Sequence, residues 1–235
     1  MEAEKTLLDS IEWGRVISNK EEKQLIANRI AAEVKTGEVI GVGSGSTVFL
    51  ALQRISERIR EEGLQVWAIP TSYEIKITCA RLGIPLTSLW EHTPVWSFDG
   101  ADEIDPDMNL IKGRGGAMFK EKLLMRASPK TFIIADSSKK VPKLGTHFPV
   151  PVEVFPDALL YVEKALRHLY PTEIKLRMAQ GKDGPVITEN GNMILDVRFP
   201  EIPLYLETAL KTITGVIESG LFLNYPIEII GLEEA

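Results

Sequence analysis

Two stretches of this 235-residue chain carry residues whose types and spacing could do chemistry. In DGADEIDPDMNLIKGRGG, residues 99–116, the side chains of Asp99, Asp102, Glu103, Asp105 and Asp107 fall within nine positions. A calcium loop starting at Asp105 is excluded: Leu110 stands where that loop needs glycine, and Gly116 where it needs a bidentate glutamate. Asp99 and Asp102 flank Gly100, where backbone can approach a ligand closely, whereas Glu103, Asp105 and Asp107 read as a solvated acidic turn. Lys112 then opens KGRGG, a second glycine-rich turn suited to a ligand or anion. Nine residues further on, Glu121 shares a helix face with Met118 and Met125. Apolar neighbours raise a carboxyl pKa and suit a general base near neutral pH. From the residue alone, the commoner reading is an ordinary surface glutamate between Lys120 and Lys122.

The second stretch is GVGSGSTV, residues 41–48. A glycine-rich turn that opens a helix offers backbone N–H groups and a positive helix end to an anion. Ser44, Ser46 and Thr47 add hydroxyls. No lysine follows the last glycine, which excludes a Walker A loop. Ser46 replaces the third glycine of a dinucleotide fingerprint, and no acidic residue ends the next strand. A small phosphate monoester remains, beside the plainer reading of a tight strand-to-helix turn. Lys139, in ADSSKK, either pairs with a phosphate or is solvated. His92, His147 and His168 have no metal-ligand spacing, no G-x-S-x-G nucleophile motif occurs, and Cys79 reads as a small core residue.

Alternating strands and helices must position these groups. The pattern predicts a helix over 21–37, strand EVIGV, a helix to Gly63, strand LQVWAI, and a helix with a capping box at Thr71 and Glu74. VWSF, helix AMFKEKLLMRA and strand TFIIA follow, with DGADEIDPDMNLIKGRGG read as a loop. This is the grammar of an α/β fold with a doubly wound, mostly parallel sheet. Ligands of such sheets bind beyond the carboxyl ends of the strands, so one site is expected from Ser44–Thr47, Asp99–Glu103 and Asp136–Lys139. After about residue 150 the order becomes β-α-β-β-β-α-β, with a hairpin turn at Asn190-Gly191, as in a smaller split-βαβ α+β domain. PIEIIG returns a last strand to the first domain. The expected domains are 1–149 plus 224–235, and 150–223.

Composition narrows the partners. With 44% hydrophobic and 26% charged residues the chain is an ordinary globular protein. A net charge of -6 without a basic stripe argues against nucleic acid. No apolar run approaches bilayer-spanning length, and the start MEAEKTLLDS has no apolar signal core. One cysteine excludes an internal disulfide and fits a reducing compartment, so a cytoplasmic protein is expected.

GVGSGSTV, FDGADEIDPDMNLIKGRGGAMFKEKLL, ADSSKK, FPVPVEVFP and ITENGNMILDV occur in this order, and with them the chain resembles the type A ribose-5-phosphate isomerases from about Lys20 onward. The resemblance implies a Rossmann-like core with a ferredoxin-like second domain and a homodimer or homotetramer. It also implies an aldose-ketose isomerase acting on a pentose phosphate without metal or organic cofactor. Matched by motif, Glu121 would be the proton acceptor, and Asp99, Asp102 and Lys112 would serve ring opening and proton movement at the sugar oxygens. Substrate contacts would come from Ser44, Gly45, Ser46, Thr47, Gly100, Ala101, Gly113, Arg114, Gly115 and Lys139, together with Asp99, Asp102 and Lys112. Lys23 matches a further phosphate lysine only by its place ahead of the loop and is not carried over.

Overall fold

The computed structural model describes residues 16–231. The MEAEKTLLDS reading and the outer ends of the first expected domain lie outside the described residues. The chain divides into two compact units. The first runs through Gly100 and adds Leu124–Asp136 and the strand from Glu228 on; the second comprises Ala101–Leu123 and Ser137–Ile227. Residues 101–123 and 137–149, which sequence order groups with the first expected domain, therefore cluster by contact with the second.

In the first unit, β1 (Glu38–Val42), β2 (Val66–Pro70), β3 (Trp96–Asp99), β6 (Thr131–Ile134) and β12 (Glu228–Ile230) form one sheet in the order β12-β6-β3-β1-β2. All its pairings are parallel, as the strand-helix alternation requires. The helices α1 (Lys20–Glu33), α2 (Ser46–Glu62) and α3 (Tyr73–Arg81) bury Ile26, Ile30, Val48, Leu52, Ile55 and Ile75 against Ile40, Val42, Phe98 and Ile134. Each such aliphatic side chain contributes roughly 1.5–3 kcal/mol by leaving water. The first helix stops at Glu33, before Gly37, because Val34 is extended and the guanidinium of Arg58 donates to the carbonyls of Ala31 and Val34. Ser72, not Thr71, caps α3: its hydroxyl accepts the Ile75 N–H at 3.2 Å. Cys79 on α3 is fully buried, and burial pushes its thiol up to about 12.

In the second unit, β7 (Val150–Val154), β8 (Glu173–Leu176), β9 (Met193–Arg198) and β10 (Val216–Ser219) form an antiparallel sheet in the order β10-β7-β9-β8, the split-βαβ arrangement, with α5 (Leu159–Leu166) and α6 (Leu206–Lys211) as connections. Its core joins Val152, Val154, Val162, Leu166, Leu195, Val197 and Leu210. PVIT makes only isolated bridges before the Thr188–Gly191 turn, so the strand expected ahead of Asn190-Gly191 does not form. The stretch read as a loop instead folds back on itself. β4 (Glu103–Ile104) and β5 (Leu110–Ile111) pair, and β11 (Leu221–Phe222) joins them in a three-stranded sheet. The helix α4 (Met118–Ala127) follows β5.

Candidate active site

The sheet of the first unit reverses its strand order at β1, which lies between β2 and β3, and β1 and β3 end side by side. That is the switch point at which such sheets bind ligands. The ladder continues past the strand ends: Gly43 N–H donates to the Phe98 carbonyl at 2.8 Å, and Ser44 N–H then donates to the Asp99 carboxylate at 3.0 Å. The Gly100 N–H reaches the same oxygen at 2.7 Å. Gly43 makes this possible, because a Cβ there would overlap the Asp99 carboxyl. Asp99 is 5% exposed, and Gly45 caps α2, whose first two residues are Ser46 and Thr47. Ser44, Gly45, Ser46 and Gly100 remain partly exposed, while Thr47 is buried. At the end of β6, buried Asp136 accepts from Asn19 at 2.9 Å and lies 3.5 Å from the Lys23 ammonium. Asn19 is held in the left-handed region, φ 48°, at the start of α1, and its amide serves Asp136 instead of capping the helix.

The second unit carries Asp102, Lys112, Gly113, Arg114, Gly115, Glu121 and Lys139. Lys112 follows β5, and its N–H is fixed by the Gly220 carbonyl at 2.8 Å. Its ammonium lies 3.4 Å from the Glu121 carboxylate and 5.6 Å from the centre of the Phe222 ring. Glu121 sits in the first turn of α4 and is 5% exposed, which overturns the surface-glutamate reading. Met118 and Met125 are buried with it. Asp102 accepts the Arg114 N–H at 3.0 Å. Burial drives the Asp102 carboxyl above its ordinary value; the Arg114 N–H and the charges of Lys112 and Lys139 oppose the rise, and Glu121 adds to it. Lys139 is half-buried beside the Phe148 ring, and Ala101 is half-buried too. Arg114 and Gly115 are exposed at the tip of the turn.

Among the described residues, no cluster of three or more His, Cys, Asp or Glu side chains is set to hold a metal ion. Two carboxylates close to a lysine, one of them in a buried ion pair, suit proton transfer at neighbouring oxygen and carbon atoms. The acidic turn is not uniform. Glu103 is fully buried and accepts the N–H groups of Gly145, His147 and Phe148, so it staples the 145–148 loop to β4. Asp105 closes its own turn onto Asn109 at 2.8 Å, and Asp107 is exposed. Arg177 was not singled out by any motif, yet its guanidinium donates to the carbonyls of Gly113 and Arg114.

The sequence model described as "Ribose 5-phosphate isomerase A (phosphoriboisomerase A)" matches residues 67–234. The chain is 44% identical over 202 residues to ribose-5-phosphate isomerase A of Methanothermobacter thermautotrophicus, covering 85% of this chain and 88% of that one. To the ribose-5-phosphate isomerase of Homo sapiens it is 41% identical, covering 88% of this chain and 69% of that one. The structure of ribose 5-phosphate isomerase A from Methanocaldococcus jannaschii superposes with a TM-score of 0.87 at 40% identity, covering 92% of this chain and 96% of that one. A D-ribose-5-phosphate isomerase in complex with phospho-erythronic acid superposes at 0.85 and 36% identity, covering 89% and 95%.

Proposed function

The chain belongs to the ribose 5-phosphate isomerase A family, and from that premise we propose how its residues interconvert D-ribose 5-phosphate and D-ribulose 5-phosphate. The reaction is an aldose-ketose isomerisation of the non-oxidative pentose phosphate pathway. Substrate and product are isomers, so a proton moves between adjacent carbons and no external reductant or oxidant enters the balance. The observation that carries the assignment of roles is the buried Glu121 with the Lys112 ammonium 3.4 Å away.

Glu121 removes the proton from C2 of the open-chain aldose and returns it to C1 of the enediolate. Lys112 stabilises the negative charge that develops on the sugar oxygens, and Asp99 and Asp102 move the protons of ring opening and of the hydroxyls. Ser44, Gly45, Ser46 and Thr47 form the substrate loop, with Lys139 on the phosphate, while the backbone of Gly100, Ala101, Gly113, Arg114 and Gly115 lines the substrate. The phosphate, remote from the reacting carbons, anchors the substrate with binding energy common to ground and transition states. The enzyme works in the cytoplasm as a homodimer or homotetramer. No described helix is long and apolar enough to cross a membrane, and the exposed Leu160, Tyr161 and Tyr205 of the second unit supply apolar surface for subunit contact.

A spectrophotometric assay of purified protein with ribose 5-phosphate tests the reading. Wild-type protein forms ribulose 5-phosphate, and Glu121→Gln loses about 10²–10⁴ in kcat while binding substrate with nearly unchanged affinity. A fully active Glu121→Gln protein removes Glu121 as the base.

A further inference from the structure

Behind the KGRGG turn stands a guanidinium that the reaction itself does not call for. Arg177 follows β8, and its backbone is fixed on both sides: its N–H donates to the Ile194 carbonyl at 2.9 Å and its carbonyl accepts the Val186 N–H at 2.8 Å. Asp196 of β9 grips the side chain as a two-pronged acceptor, taking Nε–H at 2.8 Å and an Nη2 hydrogen. That fork is the strongest geometry available to an arginine and a carboxylate, and it leaves Nη1 with one aim. Nη1 donates to the carbonyls of Gly113 and Arg114, each at 3.0 Å.

One peptide group is thus held at both ends. The Gly113 carbonyl accepts from Arg177, and the N–H of that same peptide, on Arg114, donates to the Asp102 carboxylate at 3.0 Å. Gly113 has φ +93°, a backbone conformation that side-chain-bearing residues rarely adopt, so the plane of this peptide is set by the fold and not by default geometry. We propose that Arg177, clamped by Asp196, is a positioning residue that locks the Gly113–Arg114 peptide so that its N–H stays on Asp102. The chain Asp196, Arg177, peptide 113–114, Asp102 is a line of mutually polarising hydrogen bonds. It rests on the proposed function only where Asp102 is taken to move protons; the geometry stands apart from it.

The Arg114 N–H is one of the influences that oppose the burial of Asp102, with Lys112 and Lys139, against Glu121. Loosening the peptide therefore moves the Asp102 carboxyl further upward. The test is a carbon-13 NMR titration of the Asp102 carboxyl in wild type, Arg177→Met and Asp196→Asn, in protein without substrate, with circular dichroism confirming folding. Both variants are expected to titrate Asp102 at higher pH than wild type. The acid limb of kcat/KM for ribose 5-phosphate should move up with it, and kcat should fall about tenfold to a hundredfold through misplacement of the turn. An Asp102 titration that stays put in folded variants overturns the proposal, and Asp196→Asn carries the test should Arg177→Met not fold. Wild-type protein inactive on ribose 5-phosphate would instead sink the proposed reaction and leave the titration result intact.

Discussion

Asp99 and Asp102 lie three residues apart and are held differently. Asp99 takes two backbone N–H groups at one oxygen and fills the space that Gly43 leaves empty, whereas Asp102 takes one and is surrounded by charges of both signs. Gly43 thus makes room for a carboxylate of the protein itself, and the Ser44 N–H is committed to that carboxylate. Gly43→Ala is accordingly expected to displace Asp99, to lower stability by about 1–3 kcal/mol and to remove most activity. Thermal denaturation and the isomerase assay check both. Ser46→Ala combined with Lys139→Ala should mainly raise KM, because phosphate contacts are made equally in ground and transition states; steady-state kinetics with an unchanged KM would count against their phosphate role. The groups proposed for the site stand out at this scale where residue types recur at tight spacing, as in DGAD and KGRGG. Glu103 was misread because its burial depends on amides of residues 145–148, which no local pattern near Glu103 announces. Arg177 carries no local signal for the same reason, since a lone arginine after a strand has no signature apart from its partners.

At the level of elements, α4 carries Glu121 and, next to it, an anchor. The buried Lys122 ammonium binds Glu207 at 2.7 Å, Glu218 at 2.8 Å and the carbonyls of Ser219 and Leu221, and lies over the Phe222 ring. Removing it leaves two carboxylates short of their cation, so Lys122→Met should cost about 3–5 kcal/mol in chemical denaturation. Burial raises the Glu218 carboxyl, but the charge and hydrogen bond of Lys122, the Ser219 N–H and Lys211 outweigh it, and the net shift is downward. A lowered carboxyl contributes stability above its unfolded value, near pH 4.3, and loses it as pH falls through the folded value. Wild-type stability should therefore drop on acidification below about pH 4.3 more steeply than that of Lys122→Met, as urea melts across the range will show. The alternation of strands and helices in the first unit follows from periodicity, and β1 matches EVIGV residue for residue. The two-residue strands β4 and β5 do not, because pairs that short are defined by their partners across the sheet and not by any pattern along the chain; GVIESGLFLN, expected as one strand, divides into β10 and β11.

For the whole chain, each compact unit is assembled from separated segments: the backbone changes unit after Gly100, Leu123, Asp136 and Ile227. A cut by sequence order and this division by contact differ over residues 101–123 and 137–149. The proposed assembly is checked by light scattering on a sizing column, where a mass of two or four chains is expected and a monomer would refute it. One further consequence comes from Cys79, the single cysteine, fully buried with its thiol pushed up to about 12. At neutral pH it stays protonated and shielded, so alkylating reagents find nothing to attack in the native fold. Whether the surroundings are oxidising or reducing, the folded chain does not register it. Any labelling of wild-type protein by iodoacetamide must then pass through an opening of α3. The rate of that labelling is a built-in clock for the rarest excursions of the core, readable by mass alone and without introducing a probe.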